Sequence, residues 1–199
     1  MHKYLVFGNG PHSRVVVNQM NQLDFFDIQV VTEVDESSIL LEILKDLPAD
    51  TKVFFHIGIG DNTIRNSLVS TCLAKGFLPI TIISQDATIE ESSVIEEGAF
   101  IGPKAYVGIN CYIGSHVILN TSACIDHDVR IGSFSHVAGN AYIAGGVNIG
   151  ERVLIGAGAT VIENCVIDSD ITIGAGSVVT KNLETPGTYV GAPAKLIHP

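Results

Sequence analysis

The sequence contains no tryptophan, and only 7% of its 199 residues are aromatic. Charged residues make up 16%, and acidic residues outnumber basic ones enough to give a net charge of −10. Because nucleic acids and anionic membranes attract basic surfaces, this balance predicts neither as a partner. No apolar run reaches the roughly 18 residues of a membrane-spanning helix.

Cysteine is scarce as well, and its spacing has no metal-binding pattern. The four cysteines, Cys72, Cys111, Cys124 and Cys165, form no CxxC pair, so we expect free, buried thiols and no bound metal. The first eight residues predict a short strand and lack the apolar segment and cleavage site of a signal peptide. We therefore expect a cytoplasmic protein.

Glycine and β-branched residues are what the sequence has in abundance. It contains 20 glycines, against roughly 14 at the usual frequency of about 7%. From Ile89 to Val179, every sixth residue is Ile, Val or Leu without interruption. A period of six fits short strands joined by tight corners, with three strands to a triangular coil and the coils stacked as a parallel β-helix.

Two further positions of this repeat support the β-helix. The residue two places before each aliphatic is uncharged and mostly small, which suits a second inward position. Glycine often follows the aliphatic directly, and we expect it near the corners because it accepts backbone angles that a Cβ would strain. Seven glycines do so: Gly102, Gly108, Gly114, Gly132, Gly150, Gly156 and Gly174.

The first half has a different pattern, in which strands alternate with helices. This order predicts a small parallel α/β sheet of Rossmann-like type over residues 1–84, followed by the β-helix and a C-terminal cap over residues 85–199. The predicted strands are Tyr4–Phe7, Ile28–Val31, Val53–Ile57 and Leu78–Ile83, and the predicted helices are Pro11–Met20, Ser37–Leu47 and Asn62–Lys75.

Glycine-containing turns follow the first and third predicted strands. The turn at 8–13 and the turn at 58–62 lie at the carboxyl edge of the sheet, where open α/β sheets bind ligands, and Asp35 follows the second strand at the same edge. An ordinary glycine turn is the alternative interpretation of each. Arg14 and Arg65 are candidate phosphate partners, although solvated helix charges are the simpler expectation.

Three histidines of the repeat, His116, His127 and His136, stand outside the inward positions, so we expect them at the surface. His127 lies between Asp126 and Asp128, and a carboxylate beside an imidazole raises its basicity, as a general base requires. A chance surface cluster is the alternative. Three histidines also raise the possibility of a catalytic zinc site, but their spacing does not bring them to one corner.

Several segments together resemble the bacterial sugar acetyltransferases of the hexapeptide-repeat superfamily that carry an N-terminal Rossmann-like domain. The resemblance covers essentially the whole chain, and it is strongest to the nucleotide-sugar N-acetyltransferases of the bacillosamine pathway and the sialic-acid O-acetyltransferase-like proteins. It implies a left-handed β-helix. The segments that carry it are residues 8–12, 59–65, 118–122, 126–128, 131–137 and 190–195.

The resemblance also implies a role for particular residues. His127 would be the catalytic base, with Asp128 raising its basicity and Asn120 close to the reacting centre. Contacts with acetyl-CoA fall on His136, Gly145, Ala157 and Ala175. Contacts with a nucleotide-linked amino sugar fall on Gly10, Pro11, His12, Asp35 and Gly60. Relatives carry Gly-His in the front turn, adjacent acids near position 35 and often Glu at position 128, so this chain departs from them at each of these places.

The function that this resemblance implies is direct transfer of an acetyl group from acetyl-CoA to the amino group of a nucleotide-linked sugar. It further implies a homotrimer, with acetyl-CoA between neighbouring β-helices. Outward apolar residues such as Ile109, Ile118 and Leu154 would then need covering. The alternatives are O-acetylation of a sugar such as sialic acid or a capsule unit, a zinc-dependent hydratase like carbonic anhydrase, and a non-catalytic solenoid.

Overall fold

The computed structural model describes residues 2–32, 48 and 50–198. The chain divides into two compact units, Met1–Ile82 and Ile83–Pro199, which are described one at a time. The predicted helix Ser37–Leu47 and the candidate residue Asp35 lie outside the described residues. Neither of the two helices in the described ranges combines the length and the apolar character of a membrane span.

The first unit is a parallel sheet with helices, as the alternating pattern predicted. Its described elements are β1 (His2–Phe7), α1 (Pro11–Gln22), β2 (Ile28–Val31), β3 (Lys52–Ile57), α2 (Asn62–Ala74) and β4 (Leu78–Pro79). The four strands lie in the order β2-β1-β3-β4, and α1 and α2 follow β1 and β3 along the chain.

Each helix of this unit has a local reason to begin where it does. Pro11 opens α1, where the missing N–H costs no hydrogen bond. The side chain of Asp61 caps α2 by accepting a hydrogen bond from the N–H of Ile64 at 2.9 Å. The helices bury Met20 and Leu68, while the central strands bury side chains such as Leu5 and Phe55.

The predicted fourth strand, Leu78–Ile83, is wrong in its extent, because the structure contains two short strands there. Leu78–Pro79 pairs with β3, whereas β5 (Ile82–Ile83) belongs to a sheet of the β-helix. Pro79 has no N–H to donate, and the next bond to β3 comes from Ile80, whose N–H donates to the carbonyl of Phe55 at 2.9 Å. Apolar composition alone does not reveal the break, since both pieces are apolar.

The second unit is a solenoid of three parallel sheets, as the six-residue period predicted. Tyr112 pairs with Arg130 and Ile113 with Ile131, so one coil takes 18 residues and three strands. The first solenoid sheet contains β5, β8, β11, β14, β17, β20, β22 and β23; the second contains β6, β9, β12, β15, β18 and β21; the third contains β7, β10, β13, β16 and β19.

Most strands of the solenoid are only two residues long, because the chain then turns a corner into the next sheet. Their bounds are β6 (Thr88–Ile89), β7 (Val94–Ile95), β8 (Phe100–Ile101), β9 (Tyr106–Val107), β10 (Tyr112–Ile113), β11 (Ile118–Leu119), β12 (Cys124–Ile125), β13 (Arg130–Ile131), β14 (His136–Val137), β15 (Tyr142–Ile143), β16 (Asn148–Ile149), β17 (Leu154–Ile155), β18 (Thr160–Val161), β19 (Val166–Ile167), β20 (Ile171–Ile173), β21 (Val178–Val179), β22 (Gly187–Val190) and β23 (Lys195–His198). The last strand, β23, pairs antiparallel with β22 and ends the parallel ladder.

The repeating aliphatic residues form the core of the solenoid. From Ile101 to Val179 each is at most 1% exposed, and the first two, Ile89 and Ile95, pack partly buried against the same core. The small residues two places earlier also point inward, as with Ala123 beside Ile125. One large and one small side chain per strand therefore fill the narrow interior.

The reason predicted for the glycines after these aliphatic residues is wrong. The left-handed backbone angles fall two residues later, mostly at residues with side chains such as Asn110 (φ 58°) and Asp128 (φ 59°). The glycines instead allow neighbouring coils to approach, since a Cβ on Gly132 would lie 2.6 Å from the carbonyl carbon of Gly150. Steric room between coils explains these glycines, whereas backbone angle does not.

Candidate active site

The residue His127 stands on an exposed corner of the solenoid, between β12 and β13. Its Nδ1 lies 2.8 Å from Oδ2 of Asp128, and both side chains remain more than half exposed. Because an ionised carboxylate only accepts hydrogen bonds, Nδ1 is the donor. The neutral ring then carries its free lone pair on Nε2, which is the arrangement of a general base.

A second carboxylate supports the same corner. Oδ1 of Asp126 accepts a hydrogen bond from the backbone N–H of His127 at 2.8 Å, and Oδ2 accepts one from the hydroxyl of Tyr142 at 2.8 Å. The coil below contributes Asn110, whose Nδ2 donates to Oδ1 of Asp128 at 3.2 Å. Side chains from both neighbouring coils therefore hold the histidine between two aspartates.

The two carboxylates shift the titration of the site. The hydrogen bond that Nδ1 donates to Asp128, followed by the charge of Asp126, raises the pKa of His127 above its usual value. The same hydrogen bond, accepted from His127, lowers the pKa of Asp128, and the hydrogen bond accepted from Tyr142 lowers that of Asp126. The result is an imidazole of increased basicity flanked by two ionised acids.

The ring of His127 lies against Gly145 of the next coil. A Cβ on Gly145 would lie 2.6 Å from Nε2 and from Cε1 of the ring, so only glycine leaves the imidazole in this place. The carbonyl of His127 accepts a hydrogen bond from the N–H of Gly146 at 3.0 Å. The structure thus brings together His127, Asp128 and Gly145 of the predicted site residues.

We expect Asp128→Asn to move the acidic limb of the kcat/KM–pH profile to lower pH. A general base at His127 must be neutral to accept a proton, so activity would fall as the pH drops through the pKa of His127, and removal of the carboxylate lowers that pKa. The plateau rate falls too, because a weaker base remains. Measuring kcat/KM between pH 5 and 9 checks this.

The matched control for that variant is Asp170→Asn. Asp170 is also a corner aspartate with a left-handed backbone (φ 62°), but its carboxylate pairs with Arg152. An acidic limb that stays in place in Asp128→Asn, or that moves equally in both variants, would contradict the role of Asp128.

The other predicted catalytic and cofactor residues lie elsewhere on the same solenoid. Asn120 follows β11 and stands at the corner between the first and second solenoid sheets, whereas His127 stands at the corner between the second and third. Ala157 and Ala175 lie in later coils, at the corner that Asn120 occupies in its own coil, and both are exposed. His136 points outward from the first sheet, half-buried between Ile118 and Leu154. Within one chain, these residues do not join His127.

Two surface expectations of the sequence are wrong. His116 is only 4% exposed, because its ring stacks on Phe134 one coil later, with centroids 5.3 Å apart. Gly98, one coil earlier, leaves the space that the His116 ring fills. Ile118, expected to point outward and to need a cover, is 1% exposed. Of the cysteines, Cys124 is half-buried while the other three are buried.

The alternative of a zinc site at the three histidines can be compared with this geometry. Among residues 2–32, 48 and 50–198, no group of three or more histidine, cysteine, aspartate or glutamate side chains is placed to hold a metal ion. His116 and His127 stand at different corners, and His136 lies on a sheet face. The three histidines therefore do not form one ligand set within the chain.

The two glycine turns of the first unit pack directly against each other. Gly8 has a left-handed backbone (φ 131°), and a Cβ there would lie 2.9 Å from the carbonyl oxygen of Gly58. A Cβ on Gly58 would lie 2.7 Å from the Cα of Ser13 at the start of α1. These two glycines therefore have a packing role, whatever the turns bind.

A cleft of about 360 Å³ opens beside the first turn. Its lining includes Asn9 and Arg14, whereas Gly10, Pro11 and His12 begin α1 outside it. A Cβ on Gly10 would meet no atom within 4 Å. The cleft is lined by Gly8, Asn9, Ser13, Arg14, Val17, Asn18, Asn21 and Val30.

The side chain of Arg65 organises the second turn, and the expectation that it is a solvated charge is wrong. It is 2% exposed, and Nη1 donates to the carbonyls of Ile59 at 3.0 Å and Gly60 at 3.2 Å. Nη2 donates to Oδ1 of Asn62 at 2.8 Å. Burial lowers the pKa of Arg65 to about 10. The only sequence signal was its place in the first turn of α2, facing back along the preceding loop.

Part of the second unit matches known hexapeptide-repeat proteins in sequence. Residues 146–181 match the family model "Bacterial transferase hexapeptide (six repeats)". The chain is 35% identical over 81 residues to a serine acetyltransferase of Buchnera aphidicola and 35% identical over 75 residues to a UDP-3-O-acylglucosamine N-acyltransferase of Bordetella avium. These matches cover 41% and 38% of the chain, but only 30% and 21% of those relatives.

Two solved structures match along nearly the whole chain. PerB from Caulobacter crescentus, in complex with CoA and GDP-perosamine, is 28% identical, with 98% of this chain and 97% of that chain covered and a TM-score of 0.90. The acetyltransferase domain of PglB from Neisseria gonorrhoeae, in complex with acetyl coenzyme A, is 29% identical, with 98% of each chain covered and a TM-score of 0.88. Both units thus have a counterpart in each structure. The chain therefore shares its combination of an N-terminal α/β domain and a hexapeptide-repeat solenoid with these two proteins.

Proposed function

We propose that this protein transfers an acetyl group from acetyl-CoA to the amino group of a nucleotide-linked amino sugar. The observation that carries the proposal is the exposed His127–Asp128 pair, with Nδ1 engaged and Nε2 available as a base. The likeness to PerB, which was crystallised with CoA and GDP-perosamine, supports this substrate class. Two structures of a perosamine N-acetyltransferase from the same organism, each with one histidine replaced, also support a functional histidine.

In this proposal the reaction proceeds by direct transfer. Acetyl-CoA supplies the acetyl thioester. His127 accepts the proton that the amine loses as its nitrogen bonds to the carbonyl carbon, and returns a proton to the sulfur as the carbon–sulfur bond breaks. Asp128 keeps Nδ1 protonated throughout, so that Nε2 does the chemistry. Cys124 has no part as a nucleophile, because burial raises the pKa of its thiol.

We also propose that the working form is a homotrimer, with acetyl-CoA bound between neighbouring solenoids. Within one chain, Asn120, His136, Ala157 and Ala175 stand away from His127, and an adjoining copy would supply them. Apolar side chains exposed on the solenoid, including Val94, Ile109 and Val166, would be covered in such an assembly. Light scattering should show a trimer at the assay concentration, and a stable, active monomer would overturn this part.

The acceptor is expected to bind the first unit near Gly10, Pro11, His12 and Gly60, as well as Asp35, with Arg14 available for a phosphate. We expect Gly10→Ala to raise the KM for the acceptor about tenfold while leaving the KM for acetyl-CoA unchanged, because the methyl group occupies open space that a ligand would use. Steady-state kinetics with each substrate varied in turn check this. Equal changes in both KM values would contradict an acceptor site at Gly10.

The deciding experiment is a thiol-release assay with acetyl-CoA against a panel of amino-sugar nucleotides, sugar nucleotides without an amine, and free sugars. The proposal expects turnover with an amino-sugar nucleotide and none with its hydroxyl analogue. Turnover only with hydroxyl acceptors would assign O-acetylation instead. No thiol release with any acceptor, together with no heat of acetyl-CoA binding, would overturn the enzyme assignment.

A further inference from the structure

We propose that Tyr142 and Asp126 form a positioning pair that holds His127 from the coil above, so that the base is fixed by two carboxylates. The inference rests on the proposed function, since it assigns a task to residues around the proposed base. Neither residue needs to touch a substrate. Their effect passes through the backbone and the electrostatic field at His127.

The register of the solenoid brings Tyr142 to this corner. Tyr142 pairs with Cys124 of the coil below, so its outward side chain stands directly above the strand that leads to His127. The hydroxyl donates to Oδ2 of Asp126 at 2.8 Å, and Oδ1 of the same carboxylate accepts from the N–H of His127 at 2.8 Å. Both oxygens of Asp126 are therefore engaged, one by each coil.

The arrangement mirrors the one on the other side of the histidine. Asn110, in the coil below, holds Asp128, and Asp128 holds the ring through Nδ1. Tyr142, in the coil above, holds Asp126, and Asp126 holds the backbone of the same residue. An exposed side chain on a tight corner otherwise has rotational freedom that a general base must lose before it can react.

The charges around Asp126 fit this task. The hydrogen bond from Tyr142 is the largest cause that lowers the pKa of Asp126, and the charge of Asp126 raises the pKa of His127. Among the described residues, Tyr106, Cys111, Cys124 and Glu163 are the other titratable groups that interact with Asp126 or Tyr142. None of these residue types can carry a positive charge, so none of the four competes with His127 as a cation for Asp126.

The neighbouring tyrosine provides a matched control. Tyr106 pairs with Cys124 from the opposite side, one coil below, and has a similar exposure. Its hydroxyl lies 3.5 Å from Oε1 of Glu90 and bonds neither aspartate beside His127. Tyr106→Phe therefore removes the same atom from the same face of the sheet without removing a hydrogen bond to Asp126 or Asp128.

The test compares Tyr142→Phe, Asp126→Asn and Tyr106→Phe in the full-length protein. We expect Tyr142→Phe to lower kcat about three- to tenfold, with both KM values within about twofold of the wild type. We expect the imidazole titration of His127, followed by NMR, to move to lower pH in Asp126→Asn, which removes a charge that raises the pKa of His127. We expect a smaller shift in the same direction in Tyr142→Phe, because Asp126 keeps its charge but loses the hydrogen bond that holds it beside His127. Tyr106→Phe should leave the rate and the titration unchanged, and all three should melt like the wild type.

The inference is overturned if Tyr142→Phe and Tyr106→Phe titrate alike, or if the loss in Tyr142→Phe tracks its thermal stability. The NMR measurement needs no turnover. If the wild type fails to transfer acetyl groups, the proposed function falls, while the titration still decides whether Tyr142 and Asp126 position His127.

Discussion

Replacing His127 with alanine is expected to lower kcat by about 10²- to 10⁴-fold, the range that a positioned general base contributes. Asp128 orients the imidazole so that the lone pair on Nε2 is available to accept a proton, and alanine leaves no group in its place. The ring is exposed, so its removal costs little packing. Steady-state kinetics with saturating acetyl-CoA and the preferred acceptor measure the loss.

The controls for His127→Ala separate chemistry from binding and folding. Calorimetry should give an acetyl-CoA affinity close to that of the wild type, and the melting temperature should change little. An added small base such as imidazole should restore part of the rate. Turnover within a few-fold of the wild type would remove His127 from the role of base.

Arg65→Ala is expected to destabilise the first unit by on the order of 3 kcal/mol, because it empties a buried site and leaves several acceptors without their donor. The guanidinium holds the carbonyls of Ile59 and Gly60 and the side chain of Asn62. Chemical denaturation followed by far-UV circular dichroism measures the change. Because the second turn contains a proposed acceptor residue, Gly60, the KM for the acceptor should rise as well.

Two further substitutions sharpen this expectation. Arg65→Lys keeps the charge but loses the forked donors, so it should recover only part of the stability. Arg14→Ala removes an arginine that is exposed on α1, and it should change the stability by no more than about 0.5 kcal/mol. If Arg65→Ala were as stable as Arg14→Ala, the hydrogen bonds of the Arg65 guanidinium would contribute nothing to the stability of the first unit.

The solenoid could be predicted from the sequence because its signal is local and repeated. A coil of 18 residues contains three inward aliphatic residues, so the pattern that marks the core recurs every six residues along the chain. The pairing of His127 with Asp128 was equally accessible, since adjacent residues on one tight corner meet without help from the rest of the chain.

The errors occurred where contact between coils decides the outcome. His116 was expected at the surface, but its burial depends on Phe134 and Gly98, each one coil away. The glycines after the aliphatic residues were expected for their backbone angles. They are required instead because the backbone of the next coil lies too close to leave room for a Cβ. In the first unit, the break between Leu78–Pro79 and β5 arises because the two pieces belong to different sheets.

The sequence by itself determined the class of fold, the inward positions of the solenoid strands from β6 to β21, and the pairing of His127 with Asp128. Only the tertiary structure decided what surrounds that pair: Tyr142 and Asn110 reach it from separate coils, and Gly145 makes room for its ring. It also decided that Arg65 is buried and hydrogen-bonded to the second turn, and that Asn120 and His127 stand at different corners. The physical reason is the same throughout. Periodicity reports which way a side chain points, whereas its neighbours are set by the 18-residue advance of the coil and by the packing of helix on sheet.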